Sequence, residues 1–307
     1  MTPVSLNDYE TDFDGFSRRL GESFERFGFA VVRDHGLSND LVEGCLARTR
    51  AFFALPEAVK QRYVITGGAG QRGYTPFGVE TAKGAVRHDL KAFWHVGRDL
   101  PPGHRYSGLI APNVWPDEVD GFRRYASELY AGLDALGRRL LRAIARRLGL
   151  ADDFFSLAVQ DSDSILRLLY YPPLPPGPEG LRAGPHEDIN AITLLLGAEE
   201  AGLEILGRDG RWLAVNPPAG SVVVNIGDML QRLTNDRLPS TTHRVVNPAA
   251  DRLGVARYST PFFLHFAPDY RIETLPGCVS QARPDRYPQT ITAREFLLER
   301  LREIKLV

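Results

Sequence analysis

The sequence predicts a mainly β protein with flanking helices, and three features of the chain carry that expectation. Beyond Ser164, short apolar runs alternate with turn-forming residues. The N-terminal region holds apolar residues at helical spacing, and one long amphipathic stretch lies between the two. Many short strands without alternating helices favour a sandwich or jelly roll over a parallel α/β sheet.

Phe13, Phe16, Leu20, Phe24 and Phe27 recur at helical spacing, and Gly28 then precedes the β-prone run Phe29-Ala30-Val31-Val32, so a helix leads into a strand. After the turn-like His35-Gly36, Ser38 caps a second helix whose Leu41, Val42, Cys45, Leu46, Phe52 and Phe53 form an apolar face ending near Pro56. The glycine-rich stretch Gly67 to Gly73 lacks the Gly-Lys-Ser/Thr ending of a phosphate-binding loop and reads as a flexible surface loop. A long helix is expected from about Asp117 to Leu148, where Phe122, Leu129, Leu133, Leu136, Leu140, Ile144 and Leu148 recur and Gly149 stops the pattern.

The strands that follow are expected at Ile165 to Tyr171, Ile189 to Leu196, Leu203 to Leu206, Trp212 to Val215, Val222 to Ile226, Thr242 to Val246 and Val255 to Phe266. Arg208-Asp209-Gly210, Pro217-Pro218-Ala219-Gly220 and the proline-rich Pro172 to Pro185 punctuate them, the last reading as a stiff lid before His186. A final helix, roughly Ala293 to Ile304, packs back on the core. The expected organisation is a cover region over 1–115, a long support helix within 116–163, the β core over 164–285 and a C-terminal helix over 286–307, all one integrated unit.

The formal charge of −1, from 37 basic and 38 acidic residues, supplies no broad electropositive surface for nucleic acid or anionic membrane, so the expected partner is a small molecule. Cys45 and Cys278 stand far apart in apolar settings, which excludes a Cys-x-x-Cys motif and disfavours a disulfide framework. Met1 to Glu10 lacks the basic start and apolar run of a signal peptide, and no stretch has the apolar length of a membrane span. A cytoplasmic location is expected.

Chemistry concentrates in two segments. In Gly184-Pro185-His186-Glu187-Asp188, two potential metal ligands stand two residues apart, so on an extended strand both side chains leave the same face. His-x-Asp alone is common by chance. The second segment, Thr241-Thr242-His243-Arg244-Val245-Val246, puts another histidine in a β-prone run. His186, Asp188 and His243 then form a facial triad that leaves three sites of an octahedral iron(II) open, whereas a structural zinc site would normally be closed by a fourth protein ligand.

With these residues in view, the chain resembles the iron(II)- and 2-oxoglutarate-dependent oxygenases of the isopenicillin N synthase-like family. The matching text is His186-Glu187-Asp188 with Ala191-Ile192-Thr193-Leu194-Leu195, Gly227-Asp228-Met229-Leu230, Thr234-Asn235, His243-Arg244-Val245 and Arg257-Tyr258-Ser259 with Phe262-Phe263, all in the family's order. The resemblance implies a double-stranded β-helix (jelly-roll) core, iron(II) as the metal, and 2-oxoglutarate and O2 as cosubstrates. It implies that Arg257 and Ser259 hold the distal carboxylate of 2-oxoglutarate, a role that suits a guanidinium fork and a hydroxyl donor. Tyr171 is a further candidate contact to that cosubstrate, while Leu169 replaces an amide of the family's pattern.

The implied activity couples oxidative decarboxylation of 2-oxoglutarate to succinate and CO2 with hydroxylation, desaturation or cyclisation of a small metabolite. Candidate substrate contacts are Arg72, Tyr74, Phe77, Lys91, Phe93 and His95, and their mixture of aromatic and cationic groups suits a metabolite with an acidic group. Two other readings stand beside this one: an iron oxidase of the same family that needs no 2-oxoglutarate, and a non-catalytic metal- or metabolite-binding jelly roll.

Overall fold

The structure is a computed structural model and describes residues 1–68, 70–81, 87–196 and 202–303. The chain opens with strand β1 (Val4–Ser5), the short helix α1 (Asp8–Thr11) and helix α2 (Phe13–Phe27). The Asp12 carboxylate caps α2 by accepting from the Gly15 N–H, and Gly28 ends it at φ 68°, a conformation that glycine adopts without strain. Strand β2 (Phe29–Arg33) follows at once. The Ser38 hydroxyl caps α3 (Asn39–Phe53) by accepting from the Leu41 N–H at 3.2 Å, as its position before the apolar pattern suggests.

After α4 (Glu57–Lys60) come two strands that the strand pattern did not announce, β3 (Gly73–Thr75) and β4 (Ala92–Gly97). Gly73 is buried at the start of β3, so the end of the glycine-rich stretch is sheet and not surface loop; Ala69 lies outside the described residues. Helix α5 (Phe122–Leu148) begins at Phe122 and not at Asp117, because Gly121 turns the chain at φ 72° and the Phe122 N–H reaches back to the Val119 carbonyl at 3.1 Å. Its Leu129, Leu133, Leu136, Leu140 and Ile144 are buried along one stripe.

The remaining elements are α6 (Ser156–Val159), β5 (Ile165–Tyr171), β6 (Ala183–His186), β7 (Ile192–Leu196), β8 (Leu203–Leu206), β9 (Trp212–Ala214), β10 (Val222–Ile226), α7 (Asp228–Leu233), β11 (His243–Val245), β12 (Arg257–Leu264), β13 (Arg271–Ile272), β14 (Ile291–Thr292) and α8 (Ala293–Glu303). Three expected strands, now β5, β8 and β10, have the bounds read from their apolar runs. The run from Ile189 yields a strand only from Ile192, because the preceding backbone is drawn toward α7: the Asp228 N–H donates to the Asp188 carbonyl at 2.7 Å and the Gly227 N–H to that of Ala191 at 2.9 Å. The last helix is described through Glu303; Ile304 lies outside the described residues.

The described strands form an eight-stranded sheet in the order β1-β2-β10-β7-β12-β5-β4-β3, a four-stranded sheet in the order β6-β11-β8-β9, and the small pair β13-β14. Pairing is antiparallel except for β1 with β2. Two apolar clusters join the sheets. Phe29 and Val223 of the larger sheet pack with Leu203 and Ile205 of the smaller, and Phe93, Leu169 and Tyr171 pack with Ala183 and Val245. Behind the larger sheet, α2, α3 and α5 bury Phe16, Leu20, Phe24, Phe52 and Phe122 completely or nearly so, each ring or leucine contributing about 1.5–3 kcal/mol by leaving water. The smaller sheet therefore sits on a braced platform, and its strands β6 and β11 carry the two candidate histidines.

Candidate active site

Residue His186 ends β6 and His243 begins β11, and the antiparallel register sets them opposite one another. Asp188 lies past the end of β6, on the turn toward β7, so the shared strand face inferred from the His-x-Asp spacing is not how it arrives. The turn itself brings the carboxylate round. His186 Nε2 lies 3.8 Å and His243 Nε2 3.9 Å from Asp188 Oδ1, and one ligand atom from each of the three falls within 4.8 Å of the others.

The surrounding hydrogen bonds decide which atoms face inward. His186 Nδ1 donates to the Gly184 carbonyl at 2.7 Å and His243 Nδ1 to the Thr241 carbonyl at 3.1 Å, which leaves an Nε2 lone pair free on each ring. Asp188 Oδ2 accepts from Thr193 Oγ1 at 2.5 Å and Asn225 Nδ2 at 2.8 Å, which leaves Oδ1 to point between the rings. Burial and the neighbouring His243 push His186 down to about 4, so it is a neutral imidazole at ordinary pH. Burial alone would raise Asp188, but the two histidines and its two hydrogen bonds hold it below the usual carboxylate range. Two imidazoles that each turn Nε2 inward and one carboxylate, all oriented by hydrogen bonds to their other polar atoms, suit a divalent iron with open coordination sites.

A cavity of about 350 Å3 opens beside these ligands, lined by His186 and Asp188 and also by Lys91, His95, Arg167, Phe263 and, from α8, Leu297 and Leu301. Of the candidate substrate contacts, Lys91 and His95 line it. Arg72, Tyr74 and Phe93 line instead a second cavity of about 210 Å3, which shares Gln71, Glu80, His95 and Arg167 with the first. Arg72 is a brace: fully buried, it donates to Asp163 Oδ1 at 2.9 Å and to the Ala111 carbonyl at 3.1 Å. Tyr74 is buried against Phe52 and bonds Glu57, and Phe77 is exposed and touches His88 edge-on, lining neither cavity. Lys91 is already matched by two carboxylates, Glu80 at 2.7 Å and Asp89 at 2.8 Å, which weakens the expectation of an acidic substrate.

On β12, Arg257 pairs with Tyr171 and Ser259 with Leu169 of β5. Arg257 and Ser259 are both buried and, two residues apart on a strand, leave it on the same face; the Arg257 guanidinium lies 5.3 Å from the centre of the Tyr171 ring. Tyr171 and Leu169 pack in turn against Ala183 and Val245 of the strands that carry the histidines. Leu169, where the family's pattern has an amide, contributes only apolar contact in this cluster. Four residues to which the sequence assigned no role stand at this site: Thr193, which lies within the quoted motif text, and Asn225 bond Asp188, and Glu80 and Arg167 line the cavity. Asn225 did carry a signal, as the one polar residue in the run Val222–Ile226.

The sequence pattern of the 2OG-Fe(II) oxygenase superfamily matches residues 162–266, and that of the non-haem dioxygenase in morphine synthesis N-terminal region matches residues 4–118. The chain belongs to the iron(II)- and 2-oxoglutarate-dependent oxygenases. Within this isopenicillin N synthase-like family, it is 32% identical to a 2-oxoglutarate-Fe(II) type oxidoreductase of Aspergillus fumigatus over 93% of this chain and 86% of that protein. A 2OG-Fe(II) oxygenase family protein from Caulobacter crescentus is 58% identical and superposes with a TM-score of 0.94 over 99% of each chain. A full-length Neurospora crassa protein in complex with alpha-KG is 29% identical, with a TM-score of 0.87 over 98% of this chain and 96% of that one. The oxygenase is accordingly a 2-oxoglutarate-dependent dioxygenase that acts on small molecules, with iron(II), 2-oxoglutarate and O2 as its cofactors. Among the described residues, no helix is long and apolar enough to cross a membrane.

Proposed function

We propose that His186, Asp188 and His243 hold the iron(II), that Arg257 and Ser259 bind the distal carboxylate of 2-oxoglutarate with Tyr171 beside them, and that the substrate occupies the cavity lined by Lys91, His95, Arg167 and Phe263. The carrying observation is the convergence of two Nε2 lone pairs and one carboxylate oxygen within 4.8 Å, each held by a hydrogen bond to its other polar atom. When bound, iron with 2-oxoglutarate and O2 supplies the oxidising power, yielding succinate and CO2.

The chain's own residues orient and exclude. The Gly184 and Thr241 carbonyls fix both histidines in the Nδ1–H tautomer, and Thr193 and Asn225 prevent Asp188 from rotating away. A guanidinium can give a carboxylate two parallel N–H groups, and the burial of Arg257 is the setting in which such a charge-assisted pair is strongest. Phe263, Leu297 and Leu301 keep bulk water from the reacting carbon.

The two packed sheets serve as the double-stranded β-helix of a jelly roll, with 1–115 as cover, 116–163 as support helix, 164–285 as core and 286–307 as closing helix of one catalytic unit. Two buried cysteines, both free, suit a reducing cytoplasm. Structures of the Neurospora protein contain thymine or 5-formyluracil, and a cavity of about 350 Å3 accommodates a molecule of that size.

The test is spectroscopic. Anaerobic protein with iron(II) develops a weak visible charge-transfer band on addition of 2-oxoglutarate, and Arg257→Ala shifts its appearance to higher 2-oxoglutarate concentration. No band, or the same titration in the variant, overturns the assignment.

A further inference from the structure

Four of the charged side chains lining the cavity form one closed network apart from the metal ligands. Lys91 Nζ lies 2.7 Å from Glu80 Oε1 and 2.8 Å from Asp89 Oδ2. Arg167 donates to Glu80 Oε2 at 3.1 Å, to Glu80 Oε1 at 3.3 Å and to His95 Nε2 at 2.7 Å. Side-chain exposure is 4% for Lys91, 17% for Glu80, 6% for Asp89 and 16% for Arg167, too little for water to screen these charges. Burial would neutralise Glu80, yet Arg167 and Lys91 hold its carboxyl far below the usual range; burial would likewise discharge Lys91, yet Glu80 and Asp89 keep it above its ordinary value. Burial and the adjacent Arg167 keep His95 neutral.

Two positive and two negative charges therefore cancel. The other lining charges outside the metal site are Glu187, Asp228 and Glu303, with Arg300 paired to Glu303 at 2.6 Å, so no surplus cation faces the cavity among the described residues. Hydrogen-bonding capacity is not exhausted in the same way. An ammonium has three protons and a guanidinium five, and two and three of these are engaged, so Lys91 and Arg167 retain donors without partners among the described residues.

The geometry points to Glu80 as a specificity-determining residue: by neutralising Lys91 and Arg167 while leaving them spare N–H groups, it makes the cavity take uncharged, hydrogen-bond-accepting substrates such as amides and polyols and refuse carboxylates and phosphate esters. This rests on the reading that the cavity beside the metal ligands is the substrate site. An incoming anion would have to shed its water and meet a network with no net positive charge, beside Asp188, Asp89 and Glu80. A neutral carbonyl or hydroxyl meets the same donors at far lower desolvation cost. The network also bears on the metal: Asp89 Oδ1 accepts from the Gly184 N–H at 2.8 Å, and the Gly184 carbonyl holds His186.

The experiment uses the full chain with iron(II) and saturating 2-oxoglutarate under nitrogen, so that Arg257 is already engaged. Benzamide, benzoate and benzamidine serve as isosteric neutral, anionic and cationic probes, their binding followed by calorimetry and by perturbation of the charge-transfer band. Wild type is expected to bind benzamide at least about tenfold more tightly than benzoate, and Glu80→Gln to gain about tenfold or more in benzoate affinity, the effect of one uncovered charge in a partly buried site. Lys91→Gln, which leaves Glu80 and Asp89 in excess, is expected to shift preference toward benzamidine; if Glu80→Gln does not fold, this variant and the wild-type comparison decide. Wild type favouring benzoate, no benzamide binding, or no change of charge preference in a folded variant overturns the inference. A missing band on adding 2-oxoglutarate would count against the metal and cosubstrate sites instead, so the two failures are distinguishable.

Discussion

His186 and His243 face one another directly across the β6–β11 pair, with ring centroids 4.3 Å apart. Two imidazoles this close repel when both are charged, and the arrangement is useful only when both are neutral and share an ion. His243→Ala removes one of three ligands and is expected to abolish stoichiometric iron(II) binding, measured by anaerobic titration, and with it all succinate formation. Retained activity would remove the metal assignment.

The second layer gives a graded prediction. Asn225→Ala deletes the 2.8 Å donor to Asp188 Oδ2 without touching a ligand, and Thr193→Val deletes the 2.5 Å donor. Each is expected to weaken iron(II) affinity by about 10–100-fold. Competition against a chelator measures this, and wild-type affinity in both variants would mean that Asp188 needs no orienting partners.

Arg257→Ala is expected to raise the 2-oxoglutarate concentration needed for half-maximal succinate formation by more than about tenfold, because a charge-assisted bidentate contact is lost. Saturating 2-oxoglutarate should restore much of the turnover. Arg257→Lys should fall between, since a lysine keeps the charge but not the planar fork. An unchanged requirement in the alanine variant would remove Arg257 from the cosubstrate site.

The legible parts of the sequence were those where one signal dominates. Helix α2 carries a strict apolar period and a glycine stop, β5, β8 and β10 are largely apolar runs, and His186, Asp188, His243, Arg257 and Ser259 stand in a family-specific order. Strand β4 escaped the strand pattern because it is buried on both faces and is flanked by Lys91, so no alternation marks it. Glu80 escaped because a glutamate near glycine and proline reads as a solvated loop residue; only the fold brings Arg167 and Lys91 to it, from positions distant or separated in sequence. The turn carrying Asp188 looks like strand in the sequence for a similar reason: the backbone bonds that bend it come from the start of α7 and the residue before it.

The buried His265 supplies a pH prediction. It lines the cavity, and burial pushes it down to about 4, against about 6.5 in an unfolded chain. The unfolded state thus binds a proton that the folded state refuses, so this contribution to stability is fully present above about pH 6.5 and is lost as pH falls toward about 4. Replacing it by glutamine should remove up to about 3 kcal/mol of that loss. Denaturant unfolding of the metal-free protein and the His265→Gln variant across this window measures it; parallel pH profiles would mean that His265 is charged in the fold.

Gly227 stands hard against the turn that leads from Asp188 into β7. Its N–H bonds the Ala191 carbonyl at 2.9 Å, and a Cβ on it would lie 2.2 Å from the Asn190 carbonyl oxygen and 2.8 Å from the carbonyl carbon. These are backbone atoms of the turn that leads from Asp188 into β7, so no side-chain rotation can relieve the clash. Gly227→Ala is therefore expected to cost about 1–3 kcal/mol of stability and, by displacing the turn, to weaken iron(II) binding even though no ligand has changed. Thermal unfolding without metal and iron titration under nitrogen separate the two effects. A variant that is destabilised yet binds iron as wild type would mean that the turn yields without moving Asp188, whereas loss of affinity in a stably folded variant would establish that the close approach of β10 to this turn sets the position of the carboxylate ligand.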